Sequence, residues 1–545
     1  MWFPEARSSP QASEGAPMRH TKGLVREMSI YPITLTIVNY RSFGPDNPLV
    51  IQVGDCFTGF VGPNNSGKSN ALKFFSEYQD LWRKLSTTEN IRSLLDNPHM
   101  VAVSEVRDRD EVFTRQTDGP MIVGIRTSAN TGVGSVKIRI ARDHNVTFDE
   151  PVALANAVEK SLGSTGNEMI VDRQHLDLSP IIKLASDLSR ILYIPAFRNA
   201  ILQSSGTYYG LSIGHQFIQQ WDNWKTGPNL HQNRRIRNVI ADLKAIFGFK
   251  SLDIGAAADN QSLLIDVDGE PYGLGELGSG FSEFMIVLGN AAIRQPSFIM
   301  IDEPELHLHP KLQIDFLTSL ASYASHGILF GTHSIGLARA SCDYLYSLRL
   351  NPNGLSICTQ YEELGKNLAE FAGQMGFAAI RETGVNTILL VEGPSEVRVV
   401  HQWLRKLDKG QEAVLIPLCG DSLIHGGVVQ ELQVLCRLAE NVVALIDSEK
   451  ESETAPMPKN RADFADACAG AGVRFKATER RATENYFPTS AVQAVLGDGF
   501  EKLGPFDNVR DTYPAWKKRI NWKIAREMTL DDLCSTDIGE FLESL

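Results

Sequence analysis

Residues Gly62–Ser69, with the sequence GPNNSGKS, decide the fold of the first half of the chain. They satisfy the pattern G-x-x-x-x-G-K-[ST], directly after a strand predicted over Phe57–Val61 and before a predicted helix. Glycines let such a loop turn its backbone N–H groups toward a phosphate, while Lys68 reaches the β and γ phosphates and the Ser69 hydroxyl ligates Mg²⁺. A chance glycine loop is the alternative, and the strand–loop–helix context argues against it. The residues expected to contact the nucleotide are Gly62, Asn64, Asn65, Ser66, Gly67, Lys68 and Ser69.

A second segment supports a nucleotide site. The apolar strand predicted over Phe298–Ile301 ends in Asp302 and Glu303. An acid at such a strand end can hold magnesium, and a second carboxylate can polarise the attacking water. We expect Asp302 to take the first role and Glu303 the second, the alternative being a buried strand followed by surface acids. His333, after the strand-like ILFGT, is expected to sense the γ-phosphate, the alternative being a core histidine.

Together these residues resemble the ABC-type ATPases of the RecF/SMC/Rad50 group. Leu277–Gly280 (LGSG) resembles their signature motif, and Asn39–Phe43 (NYRSF) resembles their N-terminal turn. In that family the signature of one subunit caps the ATP bound to the other. The resemblance therefore implies an ATP-bridged homodimer in which Ser279 and Gly280 act in trans. The motif departs from L-S-G-G-Q, with Glu283 near the place of the glutamine.

Carboxylates follow the predicted strands of the second half. These acids are Glu392 and Glu396 after Thr387–Val391, Asp447 and Glu449 after Val442–Ile446, and Glu484 after Val473–Ala477. Because the carboxyl ends of parallel strands meet at one edge of a sheet, the acids are expected to lie together. Mg²⁺ and Mn²⁺ need such oxygen ligands, and two metals can activate water and stabilise the leaving oxygen in phosphodiester cleavage. Acidic loops that merely follow strands are the alternative.

This second pattern resembles TOPRIM domains, in which a strand-borne glutamate precedes a D-x-D strand. An ATPase followed by a TOPRIM domain is the order of the OLD (overcoming lysogenization defect) family of nucleases, which the chain resembles from Met28 to Leu545. Glu449 departs from the aspartate that is usual in that family. The resemblance implies catalytic roles for Glu392, Asp447, Glu449 and Glu484, and metal binding by Glu392, Glu396, Asp447 and Glu449.

The length of 545 residues corresponds to three or four units of about 150 residues. We predict an α/β protein, in which an ABC-type P-loop ATPase with a helical insertion precedes a TOPRIM-type, Rossmann-like α/β domain with a helical tail. The predicted boundaries are a disordered leader over 1–27, the ATPase over 28–198 and 251–385, an insertion over 199–250 that could serve in dimerisation, and the TOPRIM domain over 386–545.

Composition sets further limits. The 53 Lys and Arg against 65 Asp and Glu give a formal net charge of −12, which argues against a coat of positive charge but allows a local basic groove. No stretch approaches the roughly 18 apolar residues of a membrane helix, and seven scattered cysteines argue against disulfides or structural zinc. A cytoplasmic location is expected. The basic runs at 234–237 and 517–519 can contact DNA phosphates, although solvated helix faces are favoured.

The sequence therefore predicts an ATP-hydrolysing, metal-dependent endonuclease that uses ATP and Mg²⁺ or Mn²⁺. Its expected partners are nucleic acid, DNA foremost, and further copies of the chain in a homodimer or higher oligomer. Family analogy implies a role in bacterial antiphage defence, with a phage trigger or partner protein. The alternative is a RecF-like ATPase sensor or scaffold, whose degenerate TOPRIM domain binds DNA or a partner without cleaving. The Asp447-Ser448-Glu449 departure favours that alternative.

Overall fold

A computed structural model describes the chain from residue 30 to residue 545, with several short segments left out. Those segments are 97–99, 105, 107, 129–131, 152–153, 155–159, 164–165, 197–205, 209–210, 258–261, 307, 362–367, 375–384, 386, 411, 419–423 and 425. The leader predicted over 1–27 lies outside the described residues.

The described residues form both strands and helices. The strands are β1 (Ile33–Val38), β2 (Leu49–Val53), β3 (Phe57–Val61), β4 (Met121–Arg126), β5 (Ser135–Ile140), β6 (Val146–Glu150), β7 (Lys160–Leu162), β8 (Glu168–Val171), β9 (Gln174–Asp177), β10 (Leu192–Ile194), β11 (Gly206–Tyr208), β12 (Leu211–Ile213), β13 (Leu252–Ala256), β14 (Leu263–Val267), β15 (Glu270–Gly273), β16 (Ile299–Asp302), β17 (Ile328–Thr332), β18 (Tyr344–Leu350), β19 (Ser356–Gln360), β20 (Thr387–Val391), β21 (Ala413–Pro417), β22 (Asn441–Ile446) and β23 (Arg474–Ala477).

The α-helices are α1 (Lys68–Glu77), α2 (Gln79–Lys84), α3 (Thr88–Asp96), α4 (Ser179–Ser189), α5 (Gly214–Thr226), α6 (Leu230–Phe247), α7 (Gly278–Arg294), α8 (Pro310–Ala321), α9 (Ile335–Ser341), α10 (Leu368–Gln374), α11 (Pro394–Lys406), α12 (Val429–Leu438), α13 (Lys459–Ala471), α14 (Thr489–Leu496), α15 (Val509–Thr512), α16 (Asn521–Glu527), α17 (Leu530–Cys534) and α18 (Asp537–Glu543). Short 3₁₀ helices cover Arg109–Val112, Gly426–Val428, Thr483–Tyr486 and Lys518–Ile520. No helix among the described residues is long and apolar enough to cross a membrane.

Two sheets form the framework of the first half. One is antiparallel, in the order β2-β1-β4-β5-β6, and its strand β1 buries alternate residues, as expected for a sheet with one covered face. The other has the order β10-β16-β17-β3-β18-β19, and its strands are parallel except for β19. Leu72, Phe74 and Phe75 of α1 share one hydrophobic core with residues of both sheets. The loop at Gly62–Ser69 is thereby fixed between a central strand and a buried helix.

The predicted insertion over 199–250 is not purely helical. Its described residues contain α5 and α6, but the ribbon of β11 and β12 precedes these helices. The side chain of Asn290 in α7 explains the extended backbone, because its amide accepts from the Ser212 N–H at 2.9 Å and donates to the Ser212 carbonyl at 3.0 Å. These two bonds take the place of a neighbouring strand.

The second half is built on a parallel sheet in the order β21-β20-β22-β23. From β20 the chain passes to one side for β21 and then returns to the other side for β22. The topological switch point therefore lies between the carboxyl ends of β20 and β22, where sites form in open α/β sheets. The expected mixed α/β class is confirmed.

A fully buried arginine joins the two halves. Arg398 of α11 donates from Nη1 to the carbonyl of Ser341, at the end of α9, and from Nη2 to Asp343 Oδ1 at 2.8 Å. The other oxygen of Asp343 accepts from the backbone N–H of Phe57, the first residue of β3. The Arg398 guanidinium also lies 4.6 Å from the centroid of the Phe57 ring. Helix α11 is thus tied to the strand that leads into the Gly62–Ser69 loop.

Replacing this arginine should destabilise the protein. Arg398→Met removes a fully buried guanidinium and leaves the partly buried carboxylate of Asp343 without its cation, so we expect a loss of about 3 kcal/mol in a denaturant titration. The matched control is Arg437→Met at an exposed position on α12, which should change stability by less than about 0.5 kcal/mol. Equal shifts of the two midpoints would contradict the assignment.

Candidate functional site

The Gly62–Ser69 loop turns tightly between β3 and α1. Gly67 precedes α1 with φ 103°, a left-handed conformation that favours glycine. The Lys68 ammonium donates to the carbonyls of Gly62 and Pro63 at 2.8 and 2.9 Å, so it lies across the loop. Burial lowers the pKa of Lys68 although three neighbouring carboxylates raise it. The lysine therefore already faces the space that a phosphate would enter.

Ser69 and Asp302 meet as the sequence predicts for a magnesium site. The Ser69 hydroxyl donates to Oδ2 of Asp302, which is the last residue of β16. Burial raises the pKa of Asp302, and its second oxygen, Oδ1, is buried without a hydrogen-bond partner. A hydroxyl beside a carboxylate with an unsatisfied oxygen fits a hard divalent cation.

His333 and Glu303 lie beside the same loop. His333 Nε2 is 3.3 Å from Glu303 Oε1 and 3.2 Å from Lys68 Nζ. The backbone N–H of His333 donates to Glu305 Oε1 at 2.6 Å. The structure thus brings together the two residues predicted to act on water and the γ-phosphate. Glu305, which orients the loop that carries His333, was not indicated by the sequence pattern.

Ser279 and Gly280 lie in the first turn of α7, where Ser279 is exposed. An exposed position is what a role in trans requires. That role stays a prediction.

Glu392 and Asp447 lie at the switch point of the second sheet. Glu392 follows β20, and its Oε1 accepts from the Asp447 N–H at 3.1 Å and from Arg461 Nη2 at 3.0 Å. Asp447 follows β22, and its Oδ1 accepts from the backbone N–H and the hydroxyl of Thr483 at 2.9 and 2.8 Å. Asp447 Oδ2 is buried without a hydrogen-bond partner.

Lys518 extends into this acidic cluster. Its Nζ is 2.9 Å from Glu484 Oε1 and 3.9 Å from Asp447 Oδ2. Glu484 Oε2 accepts a long hydrogen bond of 3.4 Å from Asn521. The expectation of a solvated basic face at 517–519 is therefore wrong for Lys518, because its neighbours Glu484 and Asp447 are buried acids that need a cation.

The protonation of the cluster reflects burial. Burial raises the pKa of Glu392 to about 7 against the opposing effect of Arg461, and it raises the pKa of Asp447 well above its usual range. Burial also raises the pKa of Glu396, whose Oε2 accepts from the Ser395 hydroxyl at 2.9 Å. Burial acts in the opposite direction on Lys518, but Asp447 and Glu484 raise its pKa above the usual value. The cluster thus combines protonatable acids with two cations, Arg461 and Lys518.

Glu449 is oriented differently from the other predicted ligands. It forms an ion pair with Arg481 at 3.0 Å, and its N–H donates to the Arg481 carbonyl at 2.8 Å. Among the described residues, no three His, Cys, Asp or Glu side chains are arranged as a metal-binding group. The oxygen-rich donor set and the unsatisfied Asp447 Oδ2 fit a hard cation, and Lys518 Nζ lies 3.9 Å from that oxygen. The metal-binding roles of these residues stay predictions.

No protein-family model matches the chain, and no curated protein is significantly similar to it. Among the solved structures that match part of it are three SMC head domains. An SMC head bound to the C-terminal winged-helix domain of ScpA is 14% identical, with 60% of this chain and 97% of that chain covered and a TM-score of 0.38. The SMC head from Thermotoga maritima is 16% identical, with coverages of 60% and 98% and a TM-score of 0.31. An SMC head with an extended coiled coil, bound to the C-terminal domain of ScpA and derived from Pyrococcus furiosus, is 11% identical, with coverages of 60% and 95% and a TM-score of 0.33. These TM-scores are too low to establish a shared function.

The raised pKa of Glu392 predicts a pH-dependent stability. Its folded-state pKa of about 7 lies above the ordinary value of 4.5, so its stabilising protonated form is complete below pH 4.5 and is lost as the pH rises through about 7. Glu392→Gln should therefore gain about 1–3 kcal/mol relative to the native chain between about pH 5 and pH 8. Thermal melting at both pH values measures this difference.

Glu440→Gln, at an exposed position, is the control and should show no such pH dependence. A Glu392→Gln stability difference that is the same at both pH values contradicts the raised pKa.

Proposed function

We propose that the chain is an ATP-hydrolysing, metal-dependent endonuclease of the OLD type. The observation that carries the proposal is the meeting of Glu392, Asp447 and Glu484 around Lys518 at the switch point of a parallel sheet. The same chain holds a phosphate-binding loop in contact with a strand-end aspartate. Two sites of different chemistry, one for nucleotide and one for phosphodiester, account for both halves of the molecule.

In the nucleotide site, this chain's residues bind and orient Mg²⁺–ATP. Lys68 exchanges its two carbonyl partners for the β and γ phosphates, and Ser69 and Asp302 present oxygens to the cation. Glu303 polarises the attacking water, while His333 contacts the γ-phosphate. Ser279 and Gly280 of a second copy cap the nucleotide, so a homodimer is part of the proposal.

In the second site, the carboxylates would hold Mg²⁺ or Mn²⁺, and the bound cation would face the phosphate of the strand to be cut. A bound divalent cation would supply activated water and charge stabilisation at the leaving oxygen. Glu392, Asp447 and Glu484 provide buried oxygens, and Lys518 offers its ammonium to the negative charge that develops on the phosphate. Glu396 and Glu449 complete the predicted ligand set. DNA is the expected substrate, and antiphage defence with a phage trigger is the expected setting.

A second candidate function is an ATPase sensor or scaffold that binds nucleic acid or a partner protein without cleaving. The observation that favours it is that Glu392, Glu449 and Glu484 each already face a cation, namely Arg461, Arg481 and Lys518. Paired carboxylates of this kind can serve binding and stability alone. The cleavage test with Glu392→Ala separates the two functions.

Lys68→Ala should abolish nucleotide chemistry. Loss of the ammonium that faces the phosphates is expected to weaken ATP binding and to lower hydrolysis by about 100-fold or more. Binding is measured with a fluorescent ATP analogue, and hydrolysis by phosphate release. Lys502→Ala at an exposed position should retain both activities. Undiminished hydrolysis in Lys68→Ala would place ATP elsewhere.

Glu392→Ala should abolish cleavage of supercoiled plasmid in Mg²⁺ or Mn²⁺ while ATP hydrolysis continues. The acid lies at the switch point, remote in sequence from the nucleotide loop, and it provides a ligand oxygen that alanine lacks. Glu440→Ala, at an exposed position between α12 and β22, should cleave normally. Surviving cleavage in Glu392→Ala refutes the assigned site. A native chain that hydrolyses ATP but never cleaves supports the sensor or scaffold.

A further inference from the structure

A small cleft opens beside the carboxylate cluster. It has a volume of about 170 Å³ and is lined by Glu449, Arg481, Glu484, Arg510 and Lys518 among others. Pockets that enclose drug-sized ligands are larger, about 300–1,000 Å³. The cleft therefore suits a phosphate group of a strand that passes across its mouth rather than an enclosed nucleobase.

The cations of this cleft are not equally occupied. Lys518 pairs with Glu484 at 2.9 Å, and Arg481 pairs with Glu449 at 3.0 Å. Arg510 is exposed, and within the described part of the chain its side chain forms no ion pair or hydrogen bond. Arg510 and Arg481 therefore both line the cleft, Arg510 without a partner and Arg481 paired with the half-buried Glu449.

Glu449 is held to Arg481 at two points. Beside the ion pair, the Glu449 N–H donates to the Arg481 carbonyl at 2.8 Å, and Glu449 has a left-handed backbone with φ 51°. This conformation costs free energy for a residue other than glycine and fixes the direction in which the side chain leaves the backbone. A carboxylate and a phosphate match the same fork of guanidinium donors. Glu449 thus lies against Arg481 Nη2, one of the nitrogens that a phosphate would use.

We propose that Arg481 and Arg510 form a phosphate-binding subsite for the nucleic-acid strand, and that Glu449 competes with this phosphate for Arg481. The subsite rests on the proposed nuclease function, because it places a strand phosphate next to Glu484 and Lys518. It assigns Glu449 the role of an internal phosphate mimic that is displaced when the strand binds.

The test measures binding without cleavage. A short, fluorescently labelled single-stranded oligodeoxynucleotide is titrated with the full chain in EDTA, and fluorescence anisotropy is followed over a range of salt concentrations. Arg510→Ala and Arg481→Met should each weaken binding by about 10-fold and lower the slope of log K against log salt by about 0.7. Glu449→Gln should strengthen binding severalfold, because Arg481 loses its competing charge. Arg437→Ala, an exposed arginine outside the cleft, is the matched control and should bind as the native chain does.

Two further comparisons guard against misfolding and against a general charge effect. Arg510 is exposed, so Arg510→Ala tests the subsite even if Arg481→Met melts early. Arg481→Lys keeps the charge but loses the paired donors, and it should bind with an affinity between those of the native chain and Arg481→Met.

The subsite is refuted if the native chain does not bind the oligonucleotide, or if Arg510→Ala and Arg481→Met bind as tightly as it does. Glu449→Gln binding no better than the native chain refutes the competition. Because no metal is present, failure of the subsite is distinguishable from failure of the nuclease. If the native chain and its variants bind as expected but the native chain never cleaves, the subsite is supported and the nuclease function is refuted. If the native chain cleaves but both arginine variants bind as tightly as it does, the nuclease function is supported and the subsite is refuted.

Discussion

Buried carboxylates at the carboxyl ends of parallel strands determine how this molecule is built, because each needs a donor or a cation beside it. Asp302 accepts a hydrogen bond from the Ser69 hydroxyl, whereas Glu392 forms an ion pair with Arg461 and Glu484 forms one with Lys518. Each partner lies on a different segment of the chain from its carboxylate. Within each half, these contacts therefore fix how strands, helices and connecting loops are arranged around the site.

A series of buried hydrogen bonds connects the elements that carry the two sites. Helix α9 begins two residues after His333, helix α11 begins two residues after Glu392, and Arg398 of α11 bonds to the end of α9 and to Asp343. Since Asp343 also accepts from the first residue of β3, a shift of that strand breaks buried contacts unless α11 moves with it. Close packing therefore couples the position of the phosphate loop to the helix that follows Glu392.

The sequence predicted what is encoded locally. The loop at Gly62–Ser69 and the acids after β16, β20 and β22 were identifiable, because a glycine pattern or an apolar run next to an acid lies within a few adjacent residues. The cations that face those acids were not, since Arg461 lies 69 residues from Glu392, and Lys518 lies in a basic run whose inward-facing member no pattern identifies. The ribbon of β11 and β12 was missed for the same reason, as its hydrogen-bond partner is in α7.

The charge balance of the cluster bears on whether it can take a metal. Four carboxyl groups, of Glu392, Glu396, Asp447 and Glu484, face two cations, Arg461 and Lys518. Burial raises the pKa values of Glu392 and Asp447, and neighbouring carboxylates raise them further, so that protons offset part of the acidic excess. A divalent cation can replace such protons, since metal binding releases protons from its ligands. Removing Lys518 from the centre would increase the acidic excess, and it would favour such a cation further. Lys518 therefore stabilises the cluster in the absence of metal, and its positive charge would compete with a cation for the same carboxylates.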